Sequence, residues 1–87
     1  MPSALIVLAE GGEEMEIIIV ADMLRRAGIN VTIGGLEGAN PINCINNIKI
    51  VPDKSLTDAL KAAPYDAIVC PGGEKGPKSM IEVRKMK

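Results

Sequence analysis

The chain has 87 residues, of which 47% are hydrophobic, and its formal net charge is −1. That length allows one small domain at most, near the lower limit for a core that is stable by itself. The balanced charge gives no signal for nucleic acid or an anionic membrane, and no apolar run reaches the roughly 18 residues of a membrane span. We expect a small α/β unit whose partners are neither nucleic acids nor membranes.

Two cysteines and no histidine limit the chemistry of these residues. Cys44 and Cys70 are too few for a disulfide scaffold, so we expect reduced thiols and a cytoplasmic location. The absence of histidine excludes a Ser-His-Asp or Cys-His site within these 87 residues and weakens the case for zinc or haem. We predict no metal site and no cofactor.

The first 28 residues predict a buried strand, a glycine turn and a long helix. Residues 4–9 form an unbroken apolar run, typical of a central parallel strand that is covered on both faces. Gly11 and Gly12 interrupt the run. A helical pattern then extends over residues 13–27, and Gly28 ends it.

One acidic residue of this helix, Glu16, lies at an unexpected position. At about 100° per residue it falls within a continuous apolar face, which consists of Ile17, Val20, Met23, Leu24 and Ala27. Burial there would favour a protonated carboxyl group, which many active sites use as a hydrogen-bond donor. Alternatively, Glu16 only complements the positive end of the helix dipole. The residues by themselves leave both interpretations open.

The opposite side of the helix mixes apolar with charged residues, namely Met15, Ile18 and Ile19 with Glu14, Asp22, Arg25 and Arg26. A helix that is apolar nearly all round is usually buried on more than one side. One hypothesis is a subunit interface centred on Met15 and Ile18, with Ile19 and Asp22 taking part. The alternative is cover by another part of the same chain.

The middle of the chain predicts a second strand and a hairpin. Residues 29–33 form the strand, which ends at the Gly34-Gly35 loop and completes a right-handed βαβ unit. Residues 42–45 and 48–51 flank Asn46-Asn47, a dipeptide suited to a tight turn. We expect a half-exposed hairpin at a sheet edge.

A short helix and another strand follow. Residues 52–55 predict a loop in which Ser55 or Asp53 caps a helix over residues 56–63. Residues 67–70 then predict a buried strand.

Three Gly-Gly pairs, at residues 11–12, 34–35 and 72–73, each follow a predicted parallel strand. In open α/β sheets, ligands bind along the edge formed by the carboxyl ends of the strands. The pattern therefore places Glu16 near the backbone amides of Gly72 and Gly73, and closely spaced amides can bind an oxyanion. The simpler interpretation is that these glycines only turn the chain.

The last segment offers a different binding hypothesis. Residues 72–79 differ at one position from a phosphate-binding loop, with Pro77 where the second glycine would stand. Proline lacks the N–H group that such a loop needs, which weakens the case for a nucleotide phosphate-binding module. We interpret residues 77–87 as a divergent basic tail.

Short motifs give the sequence a family resemblance. They are Glu13-Glu14-Met15-Glu16, Arg25-Arg26-Ala27-Gly28, Pro52-Asp53 followed by Ser55-Leu56, and Pro64-Tyr65-Asp66 leading to Pro71-Gly72-Gly73. In this order and spacing, the chain resembles the ThiJ/PfpI superfamily, and more closely its Parkinson-disease-associated branch of protein deglycases and redox-sensing chaperones. The resemblance implies that residues 1–76 are the amino-terminal part of a flavodoxin-like (class I glutamine amidotransferase-like) domain, a parallel sheet with flanking helices.

The resemblance also implies residue roles. The glutamate matching Glu16 is protonated and hydrogen-bonds a reactive cysteine thiolate, and the glycines matching Gly72 and Gly73 support an oxyanion site. The methionine matching Met15 lies in a homodimer interface, near which the cysteine matching Cys44 is a secondary oxidisable thiol. From its hairpin position we expect Cys44 to be accessible, and we expect Cys70 to pack in the core.

The family's nucleophilic cysteine and its partner histidine match no residue of this chain, so the resemblance implies that both lie beyond Lys87. We therefore expect an incomplete amino-terminal portion, arising from truncation, alternative splicing or a gene-model error. A reaction that needs a thiolate would be absent from it.

The resemblance implies that the complete protein acts on small carbonyl compounds, or on glycated proteins and nucleotides, as a glyoxalase or deglycase. A chaperone role in oxidative stress and a cytoplasmic, nuclear or mitochondrial location are also implied. The alternative is a non-catalytic fragment that dimerises with itself or with a full-length homologue.

Overall fold

A parallel sheet of four strands organises the computed structural model, which describes residues 2–70. The elements in chain order are β1 (Ser3–Leu8), α1 (Glu14–Arg26), β2 (Asn30–Gly35), β3 (Ile42–Asn43), β4 (Lys49–Ile50), β5 (Lys54–Ser55), α2 (Leu56–Leu60) and β6 (Ala67–Val69). The order across the sheet is β5-β2-β1-β6, and all of these pairs are parallel. Within residues 2–70, neither helix has the length and apolar character needed to cross a membrane.

Strand β1 occupies the centre of the sheet, as its unbroken apolar run predicts. Its side chains alternate between two hydrophobic clusters. Ile6 and Leu8 pack with Ile17 of α1, whereas Leu5 packs on the other face with Tyr65 and Ile68. Burial of each such side chain contributes on the order of 1.5–3 kcal/mol to folding. Cover on both faces therefore explains why residues 4–8 of this strand are all apolar.

Helix α1 ends at a glycine motif, as predicted. Gly28 has φ +82°, a left-handed conformation that favours glycine. Its N–H donates to the Arg25 carbonyl at 3.1 Å, and the Ile29 N–H donates to the Leu24 carbonyl at 3.0 Å. These two bonds form a Schellman motif, which satisfies carbonyl groups that the helix leaves without partners.

The predicted apolar face of α1 is partly wrong. The residues that face the sheet are Ile17 and Ala21, with Leu24 packed against the same cluster. Met23 is 63% exposed, and Ala27 is also exposed. Met23 lies two positions after Ala21, a rotation of about 200° around the helix axis, so its side chain turns away from the sheet.

The hairpin forms as predicted, but its predicted place at the edge of the main sheet is wrong. Strands β3 and β4 make a separate antiparallel sheet of two strands. The Gly11 N–H donates to the Asn43 carbonyl, and the Ile45 N–H donates to the Gly12 carbonyl. The hairpin is therefore attached to the turn between β1 and α1.

Two glycines predicted to form a loop belong to β2. Gly34 pairs with Lys54 and Gly35 with Ser55, so part of the predicted 52–55 loop is strand β5. A Cβ atom on Gly34 would lie 3.3 Å from Leu56 of α2. Glycine at this position thus allows the helix to approach the sheet closely.

Helix α2 is shorter than predicted and ends at Leu60. Of the two predicted caps, Ser55 is the one observed, because its Oγ accepts a hydrogen bond from the Asp58 N–H at 3.1 Å. Asp53 instead accepts the Ile33 N–H at 2.8 Å. This bond gives an acceptor to the amide of Ile33, a β2 residue that lies before the two residues paired with β5.

We expect Gly28→Ala to destabilise the chain by about 1–2 kcal/mol, the cost of the left-handed conformation for a residue with a Cβ atom. No atom lies within 4 Å of the added Cβ position, so the cost comes from the backbone alone. Urea denaturation measures the change. Gly28→Asn is the matched control and should lose less, because asparagine tolerates this conformation better. Equal stability of Gly28→Ala and the unsubstituted chain would contradict the assignment.

Candidate functional site

The first turn of α1 lies at the carboxyl edge of the sheet. Strand β1 ends at Leu8, and the chain enters α1 at Glu14 after the Gly11-Gly12 turn. Strand β6 runs parallel to β1, so its carboxyl end reaches the same edge. This edge is where open α/β folds bind ligands.

Glu16 is half-buried in this first turn, so its predicted withdrawal from water is only partial. The acid that the structure buries is Glu14, which is 3% exposed. Glu14 is two positions from Glu16 along the helix and therefore faces a different neighbour. Gly72 and Gly73 lie outside the described residues, so their distance from Glu16 stays a prediction.

The carboxylate of Glu14 binds the turn of the hairpin. Its Oε2 accepts the Asn46 N–H at 2.9 Å and the Ile48 N–H at 3.4 Å. Its Oε1 accepts a bond from Asn46 Nδ2 at 3.2 Å. Both oxygens are thus occupied, and a nearly inaccessible charge has the donors that it needs.

Burial alone would raise the pKa of the Glu14 carboxyl group. Hydrogen bonds from its own backbone N–H, from Asn46 and from Ile48 stabilise the ionised form and more than offset burial. The pKa of Glu14 is therefore below its ordinary value. Glu14 is an ionised structural group in this arrangement, not a proton donor.

Cys44 is buried, contrary to the prediction of an accessible thiol. Cys44 is 3% exposed, and its Sγ donates a hydrogen bond to the Ile42 carbonyl oxygen at 3.9 Å. Burial raises the pKa of the Cys44 thiol, and the negative charge of Glu14 raises it further. Because the thiolate is the reactive form, both causes reduce the reactivity of Cys44 in the folded chain.

Cys70 is half-buried and packs against the cluster around Leu5 and Ile68. This position agrees with its predicted place in the core. Neither cysteine is therefore an exposed thiol in the described structure.

The residues predicted to form a subunit interface are exposed on one side of α1. The exposed fractions are 67% for Met15, 53% for Ile18 and 48% for Ile19. Asp22 is also exposed and accepts two bonds from Arg26 Nε, both at 3.1 Å. No other part of residues 2–70 covers this surface. The alternative, that another part of the same chain covers it, is therefore wrong for the described residues.

Arg25, which the sequence placed on the charged side of α1, links this helix to β2 and to the loop residue before β5. Arg25 Nη2 donates to the Val31 carbonyl at 3.2 Å and to Asp53 Oδ2 at 3.1 Å. Both ionic side chains are about half exposed, so the pair by itself stabilises the fold by about 0–1 kcal/mol. Its role is to hold the end of α1 next to β2.

No group of three or more acidic, cysteine or histidine side chains within residues 2–70 is placed to hold a metal ion. Of the residues predicted to support catalysis, Glu16 is the one that lies within residues 2–70.

The DJ-1/PfpI family model matches residues 2–87. The chain belongs to the DJ-1/PfpI family. It is 49% identical over 79 residues to the Parkinson disease protein 7 homolog of Danio rerio. These residues are 91% of this chain and 42% of that protein. It is 42% identical over 72 residues to the glutathione-independent glyoxalase DJR-1.2 of Caenorhabditis elegans, covering 82% of this chain and 38% of that protein.

Solved structures show the same fold. Drosophila melanogaster DJ-1beta has a TM-score of 0.79 at 50% identity, covering 83% of this chain and 38% of that one. Toxoplasma gondii DJ-1 has a TM-score of 0.78 at 30% identity, covering 87% and 41%. The chain thus spans about two-fifths of the length of these DJ-1/PfpI proteins. The predicted family and the flavodoxin-like fold are confirmed, whereas the predicted division at residue 76 lies outside the described residues.

Glu14 should make the stability of the chain depend on pH. Its folded pKa lies below the unfolded value of about 4.3, so its contribution is present above that pH and is lost as the pH falls through the folded pKa. We expect Glu14→Gln to lower the melting temperature at neutral pH. This gap, the difference in melting temperature between the two chains, should close on acidification. Circular dichroism melts at a series of pH values measure this gap.

The matched control is Glu13→Gln, which removes a neighbouring carboxylate that makes no side-chain cap. It should show no comparable gap at neutral pH. A Glu14→Gln gap that is the same at every pH would contradict the ionised role of Glu14.

Proposed function

We propose that this DJ-1/PfpI chain supplies the acidic part of a site for small carbonyl compounds, of the glyoxalase or deglycase type. The observation that carries the proposal is the position of Glu16, half-buried in the first turn of α1 at the carboxyl edge. A relative named as a glutathione-independent glyoxalase supports the reaction class. In the complete protein, Glu16 would donate a hydrogen bond to a reactive thiolate, and the amides of Gly72 and Gly73 would bind the substrate oxygen.

We further propose that the 87 residues alone do not catalyse this reaction. Attack on a carbonyl group needs an accessible thiolate. Cys44 is buried and its pKa is raised, while Cys70 is half-buried against the core. The sequence has no histidine that could activate either thiol. The nucleophile would come from a segment that the complete family protein supplies.

An assay of methylglyoxal consumption tests the inactivity of the chain and, if turnover occurs, the role of Glu16. The purified 87-residue chain should consume no more methylglyoxal than buffer, because Cys44 is buried and Cys70 is half-buried. Glu16→Gln and Glu13→Gln are assayed beside it. Any turnover by the unsubstituted chain would contradict its proposed inactivity. If Glu16→Gln abolishes that turnover and Glu13→Gln preserves it, the role of Glu16 stands. If Glu16→Gln also preserves it, the role of Glu16 is contradicted as well.

A second candidate function is dimerisation, favoured by the exposed apolar side of α1. Met15, Ile18 and Ile19 lie on this side, and Asp22 lies beside them. Apolar side chains surrounded by charged ones are typical of a subunit interface with a polar rim. We propose that the partner is a second copy of the chain or a full-length homologue. The stress-response, chaperone and localisation expectations also remain proposals that rest on the family resemblance.

We expect Ile18→Glu to abolish self-association, because it places a charge at the centre of the proposed interface. Light scattering coupled to size-exclusion chromatography should show a dimer for the unsubstituted chain and a 9.2 kDa monomer for the variant. Leu36→Glu is the matched control, since Leu36 is equally exposed but lies outside α1. Equal masses for all three chains would contradict an interface at Ile18.

A further inference from the structure

The turn between β3 and β4 depends on an acceptor from outside the hairpin. Three of its backbone N–H groups donate to backbone carbonyls, in the pairs Cys44 to Ile48, Ile45 to Gly12 and Asn47 to Cys44. The other two, on Asn46 and Ile48, donate to the Glu14 carboxylate. Every amide of the turn therefore has an acceptor, and one atom, Glu14 Oε2, accepts two of these bonds.

Without this carboxylate the turn would keep its three backbone bonds and one side-chain bond, from Asn43 Nδ2 to Asn47 Oδ1 at 3.2 Å. Asn47 has φ +66°, a left-handed conformation that asparagine tolerates better than most residues with a Cβ atom. The side chains of Ile45 and Ile48 are 39% and 50% exposed, so each is only partly buried. The hydrogen bonds to Glu14 are charge-assisted, and such bonds are stronger than those between neutral groups. Glu14 is therefore the main anchor of this turn on the helix.

Cys44 is the residue that this anchor protects. Its N–H and its carbonyl both take part in the bonds of the turn, and its side chain packs in the cluster with Ile6 and Ile17. The thiol lies at the point where the hairpin meets the core. Opening of the turn would break the backbone bonds of Cys44 and bring water to its sulfur.

We propose that Glu14 is the latch of a thiol gate. The gate is the segment 44–48: it is closed while the Glu14 carboxylate binds Asn46 and Ile48, and it opens and exposes Cys44 when these bonds are lost. This device uses neither Glu16 nor the α1 residues that are proposed for dimerisation. It assigns to Glu14 a regulatory role that the neighbouring acids do not share.

Alkylation of Cys44 by iodoacetamide tests the gate. The thiol loses its proton to solvent, the thiolate sulfur bonds to the carbon of the reagent, and iodide leaves. Mass spectrometry of peptides distinguishes Cys44 from Cys70. We expect Glu14→Ala to raise the rate at Cys44 by about ten- to a hundredfold, the population shift that corresponds to loss of hydrogen bonds to a charged group. Glu13→Gln is the matched control and should leave this rate unchanged.

A second measurement separates opening of the gate from the electrostatic effect of Glu14 on the thiol. Removal of the negative charge lowers the pKa of Cys44, which by itself speeds alkylation only below that pKa. The rates are therefore compared at a pH where the thiol is ionised in both chains. If Glu14→Ala still reacts faster than the unsubstituted chain at that pH, and amide exchange at Asn46 and Ile48 is also faster, the gate is supported. A ratio of one there overturns it.

A milder variant keeps the test decisive if circular dichroism shows that Glu14→Ala does not fold. Asn46→Ala removes only the Nδ2 donor to Glu14 and should raise the Cys44 rate severalfold. In any Glu14→Ala chain that does fold, sodium formate should slow alkylation relative to sodium chloride at the same ionic strength, because formate offers the missing carboxylate. An unchanged rate in Asn46→Ala, or no effect of formate, would count against the latch.

Discussion

Burial of β1 on both faces is the constraint on which the rest of the structure depends. A strand without a solvent-facing side needs cover from two layers, and the chain provides α1 on one face and the region of α2 and Tyr65 on the other. Because α1 follows directly after β1, its first turn must lie at the carboxyl edge of the sheet. The position of Glu16 at a ligand-binding edge is thus a consequence of how the core closes.

Helix α1 makes three kinds of contact within 13 residues. Ile17 and Ala21 face the sheet, Glu14 binds the hairpin, and Ile18 is exposed. A step of one residue turns the helix by about 100°, so residues close in sequence enter separate environments. This geometry allows Glu14 to serve as an ionised structural group while Glu16, half a turn further on, lies at the proposed site.

Sequence reasoning succeeded where the signal is local. The apolar run of β1, the capping serine Ser55 and the left-handed Gly28 each depend on a few neighbouring residues. It failed for β5 and for Gly34, because a strand of two residues has no periodic pattern and the role of this glycine depends on how closely α2 approaches. The burial of Cys44 was missed for a similar reason, since an alternating hairpin pattern does not reveal what packs against it.

The sequence by itself determined the family, the parallel α/β architecture and the presence of an acid in the first turn of α1. It could do so because motif order, hydrophobic periodicity and helix-ending residues are properties of short segments. Only the tertiary structure decided which acid is buried. Glu14 obtains its hydrogen bonds from Asn46, which is 32 positions away along the chain. A contact at that separation forms only after β1, α1 and the hairpin have packed together, and a pattern of 3.6 residues per turn carries no information about it.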